Sequence, residues 1–244
     1  MKVTFIIPTY NEAVNLPQIV AALFNLPLPD LHVLVVDDNS PDGTGKIAAE
    51  LSQMYGGRVQ ALHRTGKLGL GSAYIAGFQH ALADGADAIG QMDADFSHPP
   101  EKVQNLLQVL EDFDVAMGSR YIPGGSLDVN WPLWRKSLSA FGNMYARTIL
   151  GMPMRDVTGG FRLWRRQVLV DMPLERIKSN GYVFQVEIAY VAYKLGFNFR
   201  EVPIYFADRR WGTSKMSLRI QIEAAFRVWQ LLGRYDDLRR LKSA

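Results

Sequence analysis

Short apolar runs rich in β-branched residues alternate along this chain with stretches whose apolar residues recur every three or four positions. Val3–Ile7 reads as a buried strand, and Ile19, Val20, Leu23 and Phe24 put the next stretch on a helix. His32–Val36 is a second strand ending at Asp37-Asp38. The helix after it runs through Ile47, Ala48, Leu51 and Met54, with Ser40 or Asp42 able to cap it. Arg58–Leu62 is a third strand, residues 71–83 a helix, and Ala86–Met92 a fourth strand ending at Asp93. Pro99-Pro100 opens a further helix, where proline is tolerated in the first turn, and Asp114–Met117 is a fifth strand. This βαβα rhythm predicts an α/β fold: an open, mostly parallel sheet covered by helices, with ligands beyond the C-terminal strand ends.

After residue 120 the rhythm changes. A loop rich in Gly, Pro and Trp spans 120–134, helices are predicted over 135–149 and 182–195, Asn198–Phe206 reads as a strand, and 216–233 as a final helix. No repeat, low-complexity tract or linker interrupts the chain. The expected organisation is a body over 1–215 and a C-terminal amphipathic helix and basic tail over 216–244.

Composition adds three constraints. The 244 residues are 48% apolar and 21% charged, which supports a full core and excludes wholesale disorder. The absence of Cys removes disulfides, thiolate metal sites and Cys nucleophiles. The first residues, broken by Pro8, do not make a signal peptide, and no uncharged apolar run approaches the ~18 residues of a membrane span. A cytoplasmic location is therefore expected.

The net charge of +3 is unevenly distributed. Residues 1–206 carry 18 basic and 20 acidic side chains, residues 207–244 carry 9 and 4. Such a tail suits an anionic partner or is simply a solvated helix end.

The candidate chemistry follows the strands. Asp93-Ala94-Asp95 closes the fourth strand, where alternation aims 93 and 95 the same way. Two converging carboxylates suit Mg²⁺ or Mn²⁺ completed by phosphate oxygens, with Ser97 and His98 near enough to assist; a solvated, helix-capping turn is the alternative. Pro8-Thr9-Tyr10-Asn11-Glu12 offers stacking and hydrogen-bonding groups, and Asp37-Asp38 offers acidic groups for a ribose or base edge. Gly69-Leu70-Gly71 lacks the spacing of either glycine-rich phosphate loop and reads as a flexible loop entering a helix. Arg120, Arg135, Arg209, Arg210 and Lys215 supply phosphate-binding cations.

With Gly118-Ser119-Arg120-Tyr121 added, these motifs resemble the inverting family 2 glycosyltransferases of the GT-A fold, a Rossmann-like sheet flanked by helices. Asp156-Val157-Thr158-Gly159-Gly160-Phe161-Arg162, Gly181-Tyr182-Val183-Phe184-Gln185 and the Val202–Lys215 segment are similar to the dolichyl-phosphate (polyprenyl-phosphate) mannosyltransferases within that family, over about residues 3–215. The resemblance implies transfer of mannose from GDP-mannose to a polyprenyl monophosphate, with Mg²⁺ or Mn²⁺. It places Pro8, Tyr10, Glu12, Val36 and Asp38 at the nucleoside, and Asp93, Ala94 and Asp95 at the diphosphate and metal. Ser97 takes the position of a third metal ligand, where some relatives carry Gln. Arg120, Arg135, Ser139, Arg209 and Lys215 fall at the phosphate-rich site.

A phosphate acceptor is largely deprotonated at neutral pH and needs no dedicated base, so catalysis is expected from Asp95, Arg120 and Arg135 through positioning and electrostatics. The lipid has to be met at a surface. Trp131, Leu133, Trp134, Phe141 and Met144 cluster around the long loop. The tail repeats Leu218, Ile222, Ala225, Phe226, Trp229 and Leu232 at helical spacing, with Arg219, Arg227 and Arg234 beside them. Packing onto the body and lying on the cytoplasmic face of a membrane are both open for that helix. An anchoring partner protein would serve equally, whereas nucleic acid is not expected. Glucose transfer from UDP-glucose to the same lipid class is the alternative reaction.

Overall fold

The computed structural model describes residues 1–208 and 218–238, with 218–224 described in backbone only. The first half is a series of strand–helix units: β1 (Val3–Thr9), α1 (Leu16–Phe24), β2 (Leu31–Asp37), α2 (Thr44–Met54), β3 (Val59–His63), α3 (Leu70–Ala83) and β4 (Ala88–Gln91). A 3-10 turn (Pro100–Lys102) leads into α4 (Val103–Val109) and β5 (Val115–Ser119). The second half comprises β6 (Ser126–Leu127), α5 (Leu133–Ile149), β7 (Arg162–Arg165), α6 (Arg166–Asp171), α7 (Gly181–Lys194), β8 (Phe199–Pro203), β9 (Tyr205–Phe206) and α8 (Leu218–Arg234).

The main sheet has the order β3-β2-β1-β4-β7-β5-β8. All neighbours are parallel except at β7, which lies antiparallel between β4 and β5. The mostly parallel sheet is the one predicted, but β7 was not foreseen. Its four residues, Arg-Leu-Trp-Arg, carry charge at both ends, and it is held inside the sheet by a fully buried Arg162 and Trp164. Asn198–Phe206 is not one strand either. After Pro203, which has no N–H to donate, Ile204 still donates to the Ser119 carbonyl at 3.0 Å. The chain then crosses to pair Tyr205-Phe206 with Ser126-Leu127.

Alternation along the central strands feeds two cores. Phe5 and Ile7 face one side with Leu16, Ile19 and Val33, while Ile6 faces the other with Tyr74, Phe78 and Trp164. α7 is buried over ten consecutive residues, Val183–Ala192, because α3, α8 and the sheet cover it. α8 joins the same core through Val228, Leu231 and the adjoining Tyr235. Glu187 of α7 is fully buried there and accepts hydrogen bonds from Tyr235 Oη, Arg234 Nη1 and the Ser179 amide, each at 2.8 Å. Arg234 thus points inward to Glu187, and this end of the helix packs onto the body, one of the two arrangements left open by the sequence.

Close approach at Gly90 sets the spacing between β1 and β4. A Cβ there would lie 2.3 Å from the Phe5 ring, so Gly90→Ala forces the ring or the strand to move. That substitution is expected to lower stability by about 1–3 kcal/mol, read as a shift of the urea midpoint at unchanged slope.

Candidate active site

Three loops beyond the strand ends carry the residues expected at a nucleoside. Pairing of Pro8 with Val36 and Thr9 with Asp37 brings the ends of β1 and β2 level. The loops beyond are laced together: the amides of Asn11, Glu12 and Ala13 donate to Ser40 Oγ (3.0 Å), Thr44 Oγ1 (2.9 Å) and Asp42 Oδ2 (3.1 Å). Ser40 and Asp42 therefore brace the two loops. Neither is the cap residue of α2, a position taken by Gly43 at φ 90°. Asp37 is buried and takes hydrogen bonds from Thr9 Oγ1 and Ser40 Oγ.

Asp38, expected at the nucleoside, holds the third loop in place. Its carboxylate accepts the amides of Leu68 (3.1 Å) and Gly69 (2.9 Å) and pairs with Arg64 at 2.9 Å. The segment read as a flexible loop is thus an anchored one. Gly71 packs so tightly on the next segment that a Cβ would sit 2.2 Å from the Ser179 carbonyl. Lys67 lies 4.0 Å over the Tyr10 ring. Pro8, Tyr10 and Glu12 are partly exposed at this cleft, whereas the Val36 side chain is wholly in the core. Val36 as a whole is buried, its backbone included.

The acidic pair sits on a turn. β4 ends at Gln91, and Phe96 takes the left-handed conformation at φ 63°, so strand alternation does not orient Asp93 and Asp95. Asp93 is 38% exposed, while Asp95 is buried and accepts the Ser97 amide at 3.1 Å. Ala94 is buried between them. Ser97 Oγ is buried and has no hydrogen-bond partner among the described residues. Two carboxylates and an unsatisfied hydroxyl within five residues fit a hard, oxygen-seeking cation. Among the described residues no group of three or more His, Asp or Glu gathers as a closed metal cage. His98 is buried against Phe161, and burial holds its imidazole below the ordinary value. Its Nδ1 accepts the Asp93 amide at 2.9 Å, which puts the ring proton on Nε2, 4.0 Å from Asp93 Oδ2.

Arg120 leaves the end of β5 and is clasped by Asp156. Nε and Nη2 reach the carboxylate at 2.7 Å each, the Arg120 amide adds a third bond at 2.9 Å, and Nη2 also reaches Thr158 Oγ1 at 2.8 Å. Burial pushes the Asp156 carboxyl up, but the Arg120 charge and hydrogen bonds outweigh it and hold the carboxyl below 3.8. Glu201 fixes the segment by accepting the amides of Arg155 and Asp156 at 2.9 Å.

The acceptor-side residues meet around this pair. The Arg120 guanidinium lies over the rings of Tyr121 (5.2 Å) and Phe206 (5.1 Å), and Tyr121 Oη is 2.7 Å from Ser139 Oγ on α5. Trp131 meets Phe206 edge-on, and Arg135 lies 3.5 Å over Trp131 while reaching Asp208 at 3.3 Å. Trp131 is buried in this stack, so it does not belong to the exposed apolar cluster expected of it. Arg120 is linked to Ser139 through Tyr121 and to Arg135 through Phe206 and Trp131; Arg209, Arg210 and Lys215 lie outside the described residues. Asp156, Arg64 and Gln185 were not assigned roles from sequence. The Asp156 and Gln185 motifs were visible in the chain, but their buried hydrogen bonds were not.

An open sheet with an acidic turn after β4, an antiparallel β7 and clustered cations define a glycosyltransferase of the GT-A fold. The chain belongs to glycosyl transferase family 2, whose sequence pattern it matches over residues 4–172. It is 47% identical to the polyprenol monophosphomannose synthase of Mycolicibacterium smegmatis, over 96% of this chain and 89% of that one. It is 45% identical to the undecaprenyl-phosphate mannosyltransferase of Micrococcus luteus, over 98% of each. In structure it resembles glucosyl-3-phosphoglycerate synthase from Mycobacterium tuberculosis, solved with Mn²⁺, UDP and phosphoglyceric acid. That match has a TM-score of 0.67 at 15% identity and covers 96% of this chain and 78% of that one.

Asp156→Ala leaves the Arg120 guanidinium buried without its carboxylate and is expected to cost about 3–5 kcal/mol in urea unfolding. Asp156→Asn adds a pH signature. Because the native carboxyl titrates below 3.8, its contribution is fully present above that value and is lost as the pH falls through the native pKa. The stability gap between wild type and Asp156→Asn should therefore narrow only in that acid range.

Proposed function

We propose that this glycosyltransferase moves mannose from GDP-mannose onto a polyprenyl monophosphate, with inversion, using Mg²⁺ or Mn²⁺ at Asp93, Asp95 and Ser97. The names of the two mannosyltransferase relatives support the lipid phosphate and the sugar. The observation that carries the acceptor is the placement of Arg135 and Ser139 on α5. Of its 17 residues only Asn143 and Ala146 are buried, while Leu133, Trp134, Phe141 and Met144 are exposed. One helix thus joins candidate phosphate-binding groups to exposed apolar side chains, as an anionic head on an apolar tail requires.

The cleft divides the reaction between its walls. Pro8, Tyr10, Glu12 and Asp38 receive the nucleoside at the β2 end that holds the buried Val36, with Asp93, Ala94 and Asp95 toward the diphosphate. A divalent cation held there offsets the charge gained by the departing diphosphate. Arg120, rigidly held by Asp156, and Arg135 with Ser139 orient the acceptor phosphate so that its oxygen meets the anomeric carbon opposite the leaving group. The phosphate is already ionised, and positioning replaces proton abstraction. Arg209 and Lys215 add positive charge from the following segment.

The apolar face continues onto α8, where Phe226 and Trp229 are exposed and Trp229 Nε1 donates to Tyr145 Oη at 2.9 Å. Tyr145 in turn neighbours Phe141 at 6.2 Å between ring centroids. This two-helix strip, flanked by Arg147 and Arg227, rests on the membrane surface and makes the protein peripheral on its cytoplasmic face. Among the described residues no helix is long and apolar enough to cross a membrane.

Purified protein incubated with radiolabelled nucleotide sugars, Mg²⁺ and polyprenyl phosphate should label the extractable lipid from GDP-mannose; labelling from UDP-glucose instead would reassign the donor. Asp95→Ala and EDTA should each abolish transfer, and full activity in EDTA would remove the metal from the reading. Leu133→Ser combined with Phe141→Ser should lower flotation with anionic liposomes by about tenfold or more while leaving GDP binding intact. Unchanged flotation would reject the strip.

A further inference from the structure

Lys67 spans two of the loops that carry the proposed nucleoside site. Its backbone belongs to the loop tied down by Asp38, whose carboxylate accepts the amides of the next two residues, Leu68 (3.1 Å) and Gly69 (2.9 Å). Arg64 secures the same loop from the other side: Nη2 donates to Ser72 Oγ at 2.7 Å, and Nη1 pairs with Asp38 Oδ1 at 2.9 Å. The Lys67 ammonium lies 4.0 Å from the centroid of the Tyr10 ring, on the loop after β1. An anchored backbone and a long side chain thus carry a positive charge from the Asp38 side to the Tyr10 side.

This contact is one that a ligand can exchange. Lys67 is exposed and Tyr10 partly so, so the ring face under the ammonium is reached from solvent. A cation over an exposed ring is held weakly, and a nucleobase stacked on the same ring gains more. A base entering beside Tyr10 therefore takes the ring face and releases the ammonium, while the anchored backbone keeps that charge within a side chain's length. Asp38 is buried, and its Oδ1 has no aligned hydrogen bond among the described residues despite the Arg64 contact. That oxygen keeps acceptor capacity for an N–H of the base. The ammonium, which can only donate, is suited to the acceptors of the base instead.

Guanine places two acceptors side by side, O6 and N7, a pair that lysine reads well, whereas a pyrimidine such as uracil has one carbonyl oxygen on the corresponding edge. We infer that Lys67 is a specificity residue for the donor nucleotide: its ammonium moves from Tyr10 to O6 and N7 of a guanine and so favours GDP-linked over UDP-linked sugars. The inference rests on the nucleotide-sugar reading above and adds to it the group that chooses the base.

Calorimetry on the full chain in Mn²⁺ compares GDP, UDP and 7-deaza-GDP, which lacks only the N7 acceptor. Wild type should bind 7-deaza-GDP about tenfold more weakly than GDP. Lys67→Met keeps the length of the stem and removes the donors. It should bind GDP at least about tenfold more weakly than wild type does, show no further penalty for 7-deaza-GDP, and leave UDP affinity unchanged. Lys67→Arg, whose fork fits the same two acceptors, should retain the penalty. Residue 67 is exposed, so both variants should unfold at the wild-type urea midpoint. Wild type that binds GDP and 7-deaza-GDP equally overturns the role of Lys67 and leaves the donor reading standing. Equal weakening of all three nucleotides in Lys67→Met makes Lys67 a charge for the diphosphate and overturns the role as well. Wild type that prefers UDP to GDP refutes GDP-mannose and this role together, and wild type that binds neither refutes the nucleotide site itself.

Discussion

The bidentate clasp between Arg120 and Asp156 is the constraint around which the acceptor half of the cleft is built. Arg120 comes from the end of β5, and Asp156 from the segment that leads into the antiparallel β7. Their bond fixes where that segment lies against the parallel part of the sheet. A lone guanidinium at this depth would carry a heavy desolvation cost. Glu201 and Asn143 secure the other side of the segment through the amides of Arg155, Asp156 and Val157. The cation is immobilised in advance, so in the proposed reaction an acceptor phosphate would meet a charge that need not reorganise, which is the condition for electrostatic preorganisation.

β7 has a corresponding role for the donor half. Lying between β4 and β5, it puts Trp164 beside Gln91 and Arg162 beneath the 157–160 turn, where Arg162 donates to the carbonyls of Val157 (2.8 Å) and Gln185 (2.7 Å). The charge of Arg162 is thus distributed over backbone carbonyls, and burial brings its guanidinium down to about 10, still protonated at neutral pH. One four-residue strand therefore connects the acidic turn after β4, the glycine turn at 159–160 and the start of α7.

Most of the parallel framework was legible in the sequence because its strands are buried runs with little charge, such as Val33–Val36. The acidic pair was also legible, being two carboxylates at the end of such a run. Other features were hidden for identifiable reasons. β7 escaped because its stability comes from a buried arginine and tryptophan. The loop-anchoring role of Asp38 was hidden because its three partners, Arg64, Leu68 and Gly69, lie about thirty residues away and are joined to it only by folding. The complete burial of Val36 was not visible from its motif position at the end of β2. Arg234 looked like a surface charge because nothing nearby in sequence reveals that Glu187 is buried beneath it.

Glu187 also bears on the order in which the molecule is made. Its carboxylate is buried among apolar side chains and is satisfied by Ser179 on one side and by Arg234 and Tyr235 on the other. Ser179 belongs to the segment against which Gly71 and the anchored donor loop are packed. During synthesis the chain emerges with α7 some forty residues ahead of these two partners. Until they arrive, the Glu187 carboxyl lacks two of its three partners and cannot be enclosed without a penalty. The loop anchored by Asp38, although encoded by the first third of the chain, therefore reaches its final packing only after α8 has been translated.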